Sequence, residues 1–119
     1  MCSSDLLDLS GQVVRLNDPS PLPLGTWHHV AVVADGDFLA LYRGGERVAR
    51  TACTGVMPLT TQSLAIGAEL RPDSAGPAPG TSRFWDGRID EFAVLNAPLE
   101  PAEITALNQT TPPNRRNKK

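Results

Sequence analysis

Two glycine turns set most of what this chain can become. Asp35-Gly36-Asp37 and Gly44-Gly45 divide residues 26–52 into three short runs. Asp-Gly is a strong hairpin signal, and glycine enters left-handed turn positions without steric cost. The runs between the turns are strand-like: TWHHVAVVA over 26–34, FLALYR over 38–43 and ERVARTA over 46–52. Their β-branched and aromatic residues favour strands. The spacing predicts an antiparallel three-strand meander. Residues 26–34 are apolar on both alternating faces after His29, which predicts a strand buried in the middle of a sandwich.

The rest of the chain follows the same grammar. Residues 7–16 give two short apolar pieces around Ser10-Gly11, read as a hairpin or as the end of one strand and the start of the next. Residues 17–23, NDPSPLP, form a loop, because three prolines in five residues forbid a central strand. SLAIGA over 63–68 reads as a short strand. Residues 71–82 are a Pro/Gly/Ser loop, long for a compact domain and a place where binding residues gather. RIDEFAVL over 88–95 reads as the last strand, broken by Asn96-Ala97-Pro98. A short helix follows. Pro101 suits the first helical position, Glu103 stands where a capping box puts its acid, and Leu99 and Ile104 can form a hydrophobic staple. The helix is expected to stop by Asn108.

Composition bounds the alternatives. The 119 residues suffice for one modest domain. Gly 10 and Pro 11 favour turns and short strands over a helical bundle. The net charge of −2 hides an asymmetry: Arg115, Arg116, Lys118 and Lys119 close the chain, and residues 1–114 hold seven basic against thirteen acidic side chains. An acidic body argues against a nucleic-acid partner, which needs clustered cations on the folded part. Residues 110–119 read as a basic, disordered tail or linker. No run approaches the roughly 18 apolar residues of a membrane-spanning helix, so no membrane insertion is expected. No secretory signal is visible. Met1-Cys2-Ser3-Ser4-Asp5-Leu6 resembles a translated sequencing adapter, and residues 1–6 are set apart as a non-native leader. Cys53 is then a lone thiol, read as a small buried hydrophobe. If Cys2 is native, the two could pair in an oxidising compartment.

Four segments together resemble the laminin-G-like branch of the concanavalin A-like lectin/glucanase superfamily. Trp27-His28-His29-Val30-Ala31 is similar to the family's Trp-His-His-Val-Ala strand. Leu41-Tyr42-Arg43-Gly44-Gly45 is similar to its Leu-Tyr-x-Asp-Gly hairpin, with Gly44 where Asp is usual. Leu64-Ala65-Ile66-Gly67 matches its Ile-Gly strand. Phe84 to Phe92, FWDGRIDEF, matches its Phe-x-Gly-x-Ile-Asp-Glu strand, followed by a Leu-x-x-x-Glu-Ile turn at Leu99 to Ile104. The resemblance covers about residues 24–107. It implies an all-β fold, an antiparallel jelly-roll β-sandwich, here partial, with one short C-terminal helix. Several strands that the family places before the Trp-His-His segment are missing, so residues 7–109 read as the C-terminal part of such a domain, an N-terminally truncated fragment with exposed sheet edges.

Candidate site residues are few. Trp85, between a loop and Gly87, is the surface aromatic suited to stack on a sugar ring. Trp27 reads as core packing. Asp90, by the resemblance, can help bind a structural calcium, although calcium wants six to eight oxygens and one carboxylate cannot hold it. Asp35 and Asp37 resemble half a calcium loop and equally a solvated turn. His28 and His29 are adjacent and would face opposite ways on a strand; the resemblance implies a structural role, with a ring bonded to a neighbouring loop. The Glu-x-Asp-x-x-Glu run of the family's glucanases is absent, and glycoside hydrolysis needs paired carboxylates. Asn108-Gln109-Thr110 is a formal glycosylation sequon. The resemblance therefore implies a non-catalytic module of a larger extracellular or cell-surface protein. Its partners would be a glycan, an extracellular protein or other domains of the parent chain. An accessory module of a secreted hydrolase and a ligand-free spacer are the alternatives.

Overall fold

The computed structural model describes residues 3–7, 13–55, 65–68, 70–71, 76, 79 and 84–110. The chain divides into two units, residues 1–58 with 96–119, and residues 59–95.

The first unit holds the regular structure. β1 (Ser3–Leu7) pairs antiparallel with β2 (Val13–Asn17), with Ser3 opposite Asn17 and Leu7 opposite Val13. Residues 3–6, set apart above as a leader, belong to this strand. β3 (Val30–Ala34), β4 (Phe38–Arg43) and β5 (Glu46–Ala52) form an antiparallel sheet in the order β3-β4-β5. Both glycine turns fall where the sequence places them. At the first, Asp35 Oδ1 accepts the Asp37 and Phe38 N–H at 3.0 and 2.8 Å. At the second, Gly44 and Gly45 both have positive φ.

The buried centre of this sheet is β4, not β3, and this corrects the sequence expectation. Leu39 and Leu41 are 1 % exposed on one face, while Ala40 and Tyr42 are buried on the other. Leu16 of β2 and Cys53 close over the first face, with Val14, Val48 and Ala49 packed around them. A bulge opposite Leu41 and Tyr42 interrupts the β4–β5 register, which brings both Val48 and Ala49 to that cluster. Helix α1 (Pro101–Thr110) covers the second face through Ile104, which packs with Ala40 and Tyr42 beside Ala31, Val33 and Leu99. β3 lies at the sheet edge, and Val30 and Val32 stay exposed because neither covering layer reaches them. Trp27 precedes the strand and is exposed rather than core.

The start of α1 matches its sequence signals. The Glu100 N–H donates to Glu103 Oε2 at 2.7 Å, the acidic half of a capping box. Leu99 packs with the Ile104 cluster as the staple requires. The helix runs to Thr110, two residues past the expected stop. Its outer turns clasp the β4–β5 hairpin: Thr105 Oγ1 donates to the Gly45 carbonyl at 3.1 Å, and Asn108 Nδ2 to the Gly44 carbonyl at 3.0 Å.

The second unit carries less regular structure among the described residues. Ala68 and Phe84 form an isolated antiparallel bridge, and the Trp85 N–H donates to the Gly67 carbonyl at 2.7 Å. Residues 88–95 are not a strand, against expectation. Glu91 takes a φ of 52°, which breaks an extended run, and no described strand lies in register with the segment. Residues 63–64 and most of the 71–82 loop lie outside the described residues, as do 111–119 of the expected tail.

Candidate functional site

Trp85 is the sequence-predicted binding residue, and its surroundings are built from backbone. Its N–H is fixed on Gly67. A Cβ built on Gly67 would stand 3.5 Å from Ile89 Cδ1 and 3.9 Å from Trp85 Cβ, so both side chains close in on a residue that has none. Gly87 braces the indole. A Cβ there would lie 2.9 Å from Trp85 Nε1, closer than real side chains tolerate. The indole is thus positioned at two glycines and remains 49 % exposed. Phe84, Ile66 and Ile89 of the same unit are comparably exposed. An aromatic face held by backbone and open to solvent suits stacking, because little side-chain entropy is lost on contact.

Asp90 lies five residues along, exposed, with Oδ1 accepting the Glu91 N–H at 2.8 Å. Among the described residues no three acidic, histidine or cysteine side chains gather where a metal could sit. Asp90 offers one carboxylate with one oxygen already bonded to its own chain. The described donors by themselves do not fit a calcium ion, which takes six to eight oxygens. Asp35 spends its carboxylate on the turn. The two backbone N–H groups it accepts, from Asp37 first and then Phe38, hold its carboxyl below the ordinary value.

The histidines take structural places. His28 Nε2 lies 2.9 Å from both the Pro23 carbonyl and Thr26 Oγ1, so a proton on Nε2 serves the loop before β3. The His29 carbonyl accepts the Gly44 N–H at 2.9 Å, tying β3 to the hairpin. The sequon residue Asn108 is engaged through its amide nitrogen with Gly44.

One polar centre has no counterpart in the sequence reading. Asp18 Oδ2 meets Arg43 Nη1 at 2.9 Å with the carboxylate side chain 2 % exposed. Asp18 Oδ1 accepts the Ser20 N–H at 2.9 Å. Asp18-Pro19-Ser20 is a recognisable Asx-turn signal, but nothing local points from it to Arg43. The pair anchors the loop after β2 to the end of β4 and lies in the first unit, whereas Trp85 and Asp90 lie in the second.

A laminin-G family model, described as the concanavalin A-like lectin/glucanases superfamily, matches residues 6–105. Among solved structures, the chain is similar to residues 221–444 of an S-layer domain-containing protein from Clostridium thermocellum, with 31 % identity and a TM-score of 0.61. The similarity covers 82 % of this chain and 45 % of that one, so the chain spans a little under half of its structural relative. No curated protein matches the chain.

Proposed function

The chain belongs to the concanavalin A-like lectin/glucanases superfamily, and on that footing we propose that it is a non-catalytic, glycan-binding laminin-G-like module of an extracellular or cell-surface protein. The observation that carries this reading is Trp85: a half-exposed indole braced at Gly67 and Gly87. The apolar face of a pyranose would stack on it. The polar groups nearest in sequence, Asp86, Arg88 and Asp90, would supply hydrogen bonds to hydroxyls. The surface setting is supported by the likeness to an S-layer domain-containing protein. No helix among the described residues is long and apolar enough to cross a membrane, so a surface location would come through other parts of the parent or through its partners. The non-catalytic reading rests on the family and on the absence from the sequence of the glucanase carboxylate run.

Calcium enters as a separate arm of the test. If Asp90 joins a calcium site, its remaining ligands come from outside the described donor set. A glycan array probed with the full chain, once with calcium and once with a chelator, tests the reading. Binding to one glycan class supports it, and a calcium-dependent signal adds Asp90 to the site. A blank array under both conditions sinks it and leaves the spacer alternative.

A further inference from the structure

β3 offers an edge unlike the other strand edges among the described residues. Its sequence, VAVVA, carries no charge and no proline. β5, the opposite edge of the same sheet, carries Glu46, Arg47 and Arg50 and a register bulge against β4, the usual protections against edge pairing. β1 and β2 each carry a charged residue, Asp5 and Arg15.

Backbone polarity identifies what the β3 edge can take. The Asp35 N–H donates to the Phe38 carbonyl at 3.2 Å and the Gly44 N–H to the His29 carbonyl at 2.9 Å. These bonds at the two ends of the β3–β4 ladder set the odd-numbered residues toward β4. The N–H and C=O groups of Val30, Val32 and Ala34 therefore point outward, and no described strand pairs with them. Val30 and Val32 are also exposed, Val32 to 48 %. An edge of outward amides beside apolar β-branched side chains fits one more extended strand.

We propose that the strand is β3 of a second copy of this chain, antiparallel about a two-fold axis at Val32. The segment is complementary to itself in that register. Val32 stands opposite the partner's Val32, and Val30 opposite the partner's Ala34. Each such pair exchanges both of its N–H···O bonds, and the paired valines cover one another on the exposed face. The ends are complementary in charge. His29 stands opposite the partner's Asp35 at both ends of the ladder. Asp35 Oδ1 is taken by the turn, and the turn's N–H groups keep the carboxylate ionised at neutral pH. His29 Nδ1 has no hydrogen-bond partner within the chain. A closed two-fold contact of this kind uses up both free edges, so it gives a dimer and not a fibre.

Sedimentation velocity of the full chain over a range of concentrations tests the proposal. A monomer–dimer equilibrium is expected. Val32→Lys sets like charges opposite each other at the axis and should weaken association by about tenfold or more, with the circular-dichroism melt of the monomer preserved because the side chain points to solvent. In a Cys2→Ser background, Val32→Cys should crosslink to its own copy on mild oxidation, while Val30→Cys should not. Three results overturn the proposal: a monomer at every concentration, a dimer untouched by Val32→Lys, or crosslinking through Val30→Cys in place of Val32→Cys.

Discussion

Asp18 keeps 2 % of its side chain exposed yet carries a carboxylate, and Arg43 is the charge that compensates it. Removing one partner of such a pair leaves the other desolvated, which costs more than the pair itself contributes. Arg43→Met should therefore destabilise by about 3 kcal/mol. The double change Arg43→Met with Asp18→Asn should cost less than the single, because no buried charge is left over. Urea midpoints of the single and double variants measure this, and a double variant less stable than Arg43→Met would contradict it. Asp35 makes a different prediction, because it is exposed and acts through backbone bonds. Its folded carboxyl lies below the ordinary value of 3.8. The ionised turn thus contributes stability above that value and loses it as pH falls through the lower folded one. The stability gap between the wild type and Asp35→Asn should be full at neutral pH and shrink below pH 3.8. A gap unchanged between pH 7 and pH 3 would remove the carboxylate from the account.

Helix α1 is an element whose docking rests on few atoms. Ile104 is 0 % exposed, and Thr105 and Asn108 hold the carbonyls of Gly45 and Gly44. Gly45 has φ +85°, and a Cβ on it would meet Thr105 Cα at 3.2 Å. Gly45→Ala therefore combines backbone strain with a contact against the helix and should cost on the order of 2 kcal/mol. Gly44→Ala meets nothing within 4 Å and should bear the strain alone, so Gly45→Ala should melt at the lower temperature. The local rules at this end were legible in the sequence. Pro101, Glu103 and Leu99 act within a few residues of one another, as do Asp35 and Gly36. What depends on distant chain was not legible. Thr26–Ala34 looked central because of its composition, but centrality depends on what β2 and α1 cover, and they cover β4. Residues 88–95 carry strand-forming types, but a strand also needs a neighbour in register. Trp85 could be placed on the surface from its own neighbours, Gly87 above all. Asp90 could not be assigned, because a calcium site is defined by donors from several segments.

At the scale of the whole molecule, burial divides unevenly among the described residues. Leu39, Leu41 and Ile104 are fully enclosed in the first unit, whereas Phe92, Val94 and Leu95 in the second are all more than half exposed. Amides of buried strands open only with the whole unit, and amides outside any ladder exchange locally. Hydrogen exchange should therefore be slowest over residues 39–42 and close to unprotected over 92–95. Equal protection in the two segments would contradict the burial described. The family membership and the likeness to an S-layer domain-containing protein place this chain among concanavalin A-like modules, and the functional account then stands on one aromatic side chain. The direct measurement is glycan-array binding of the full chain beside Trp85→Ala. The account expects a wild-type signal on one glycan class that falls about thirtyfold in the variant, the 2 kcal/mol of an aromatic hot spot. A blank wild-type array, or equal binding by both proteins, would contradict it.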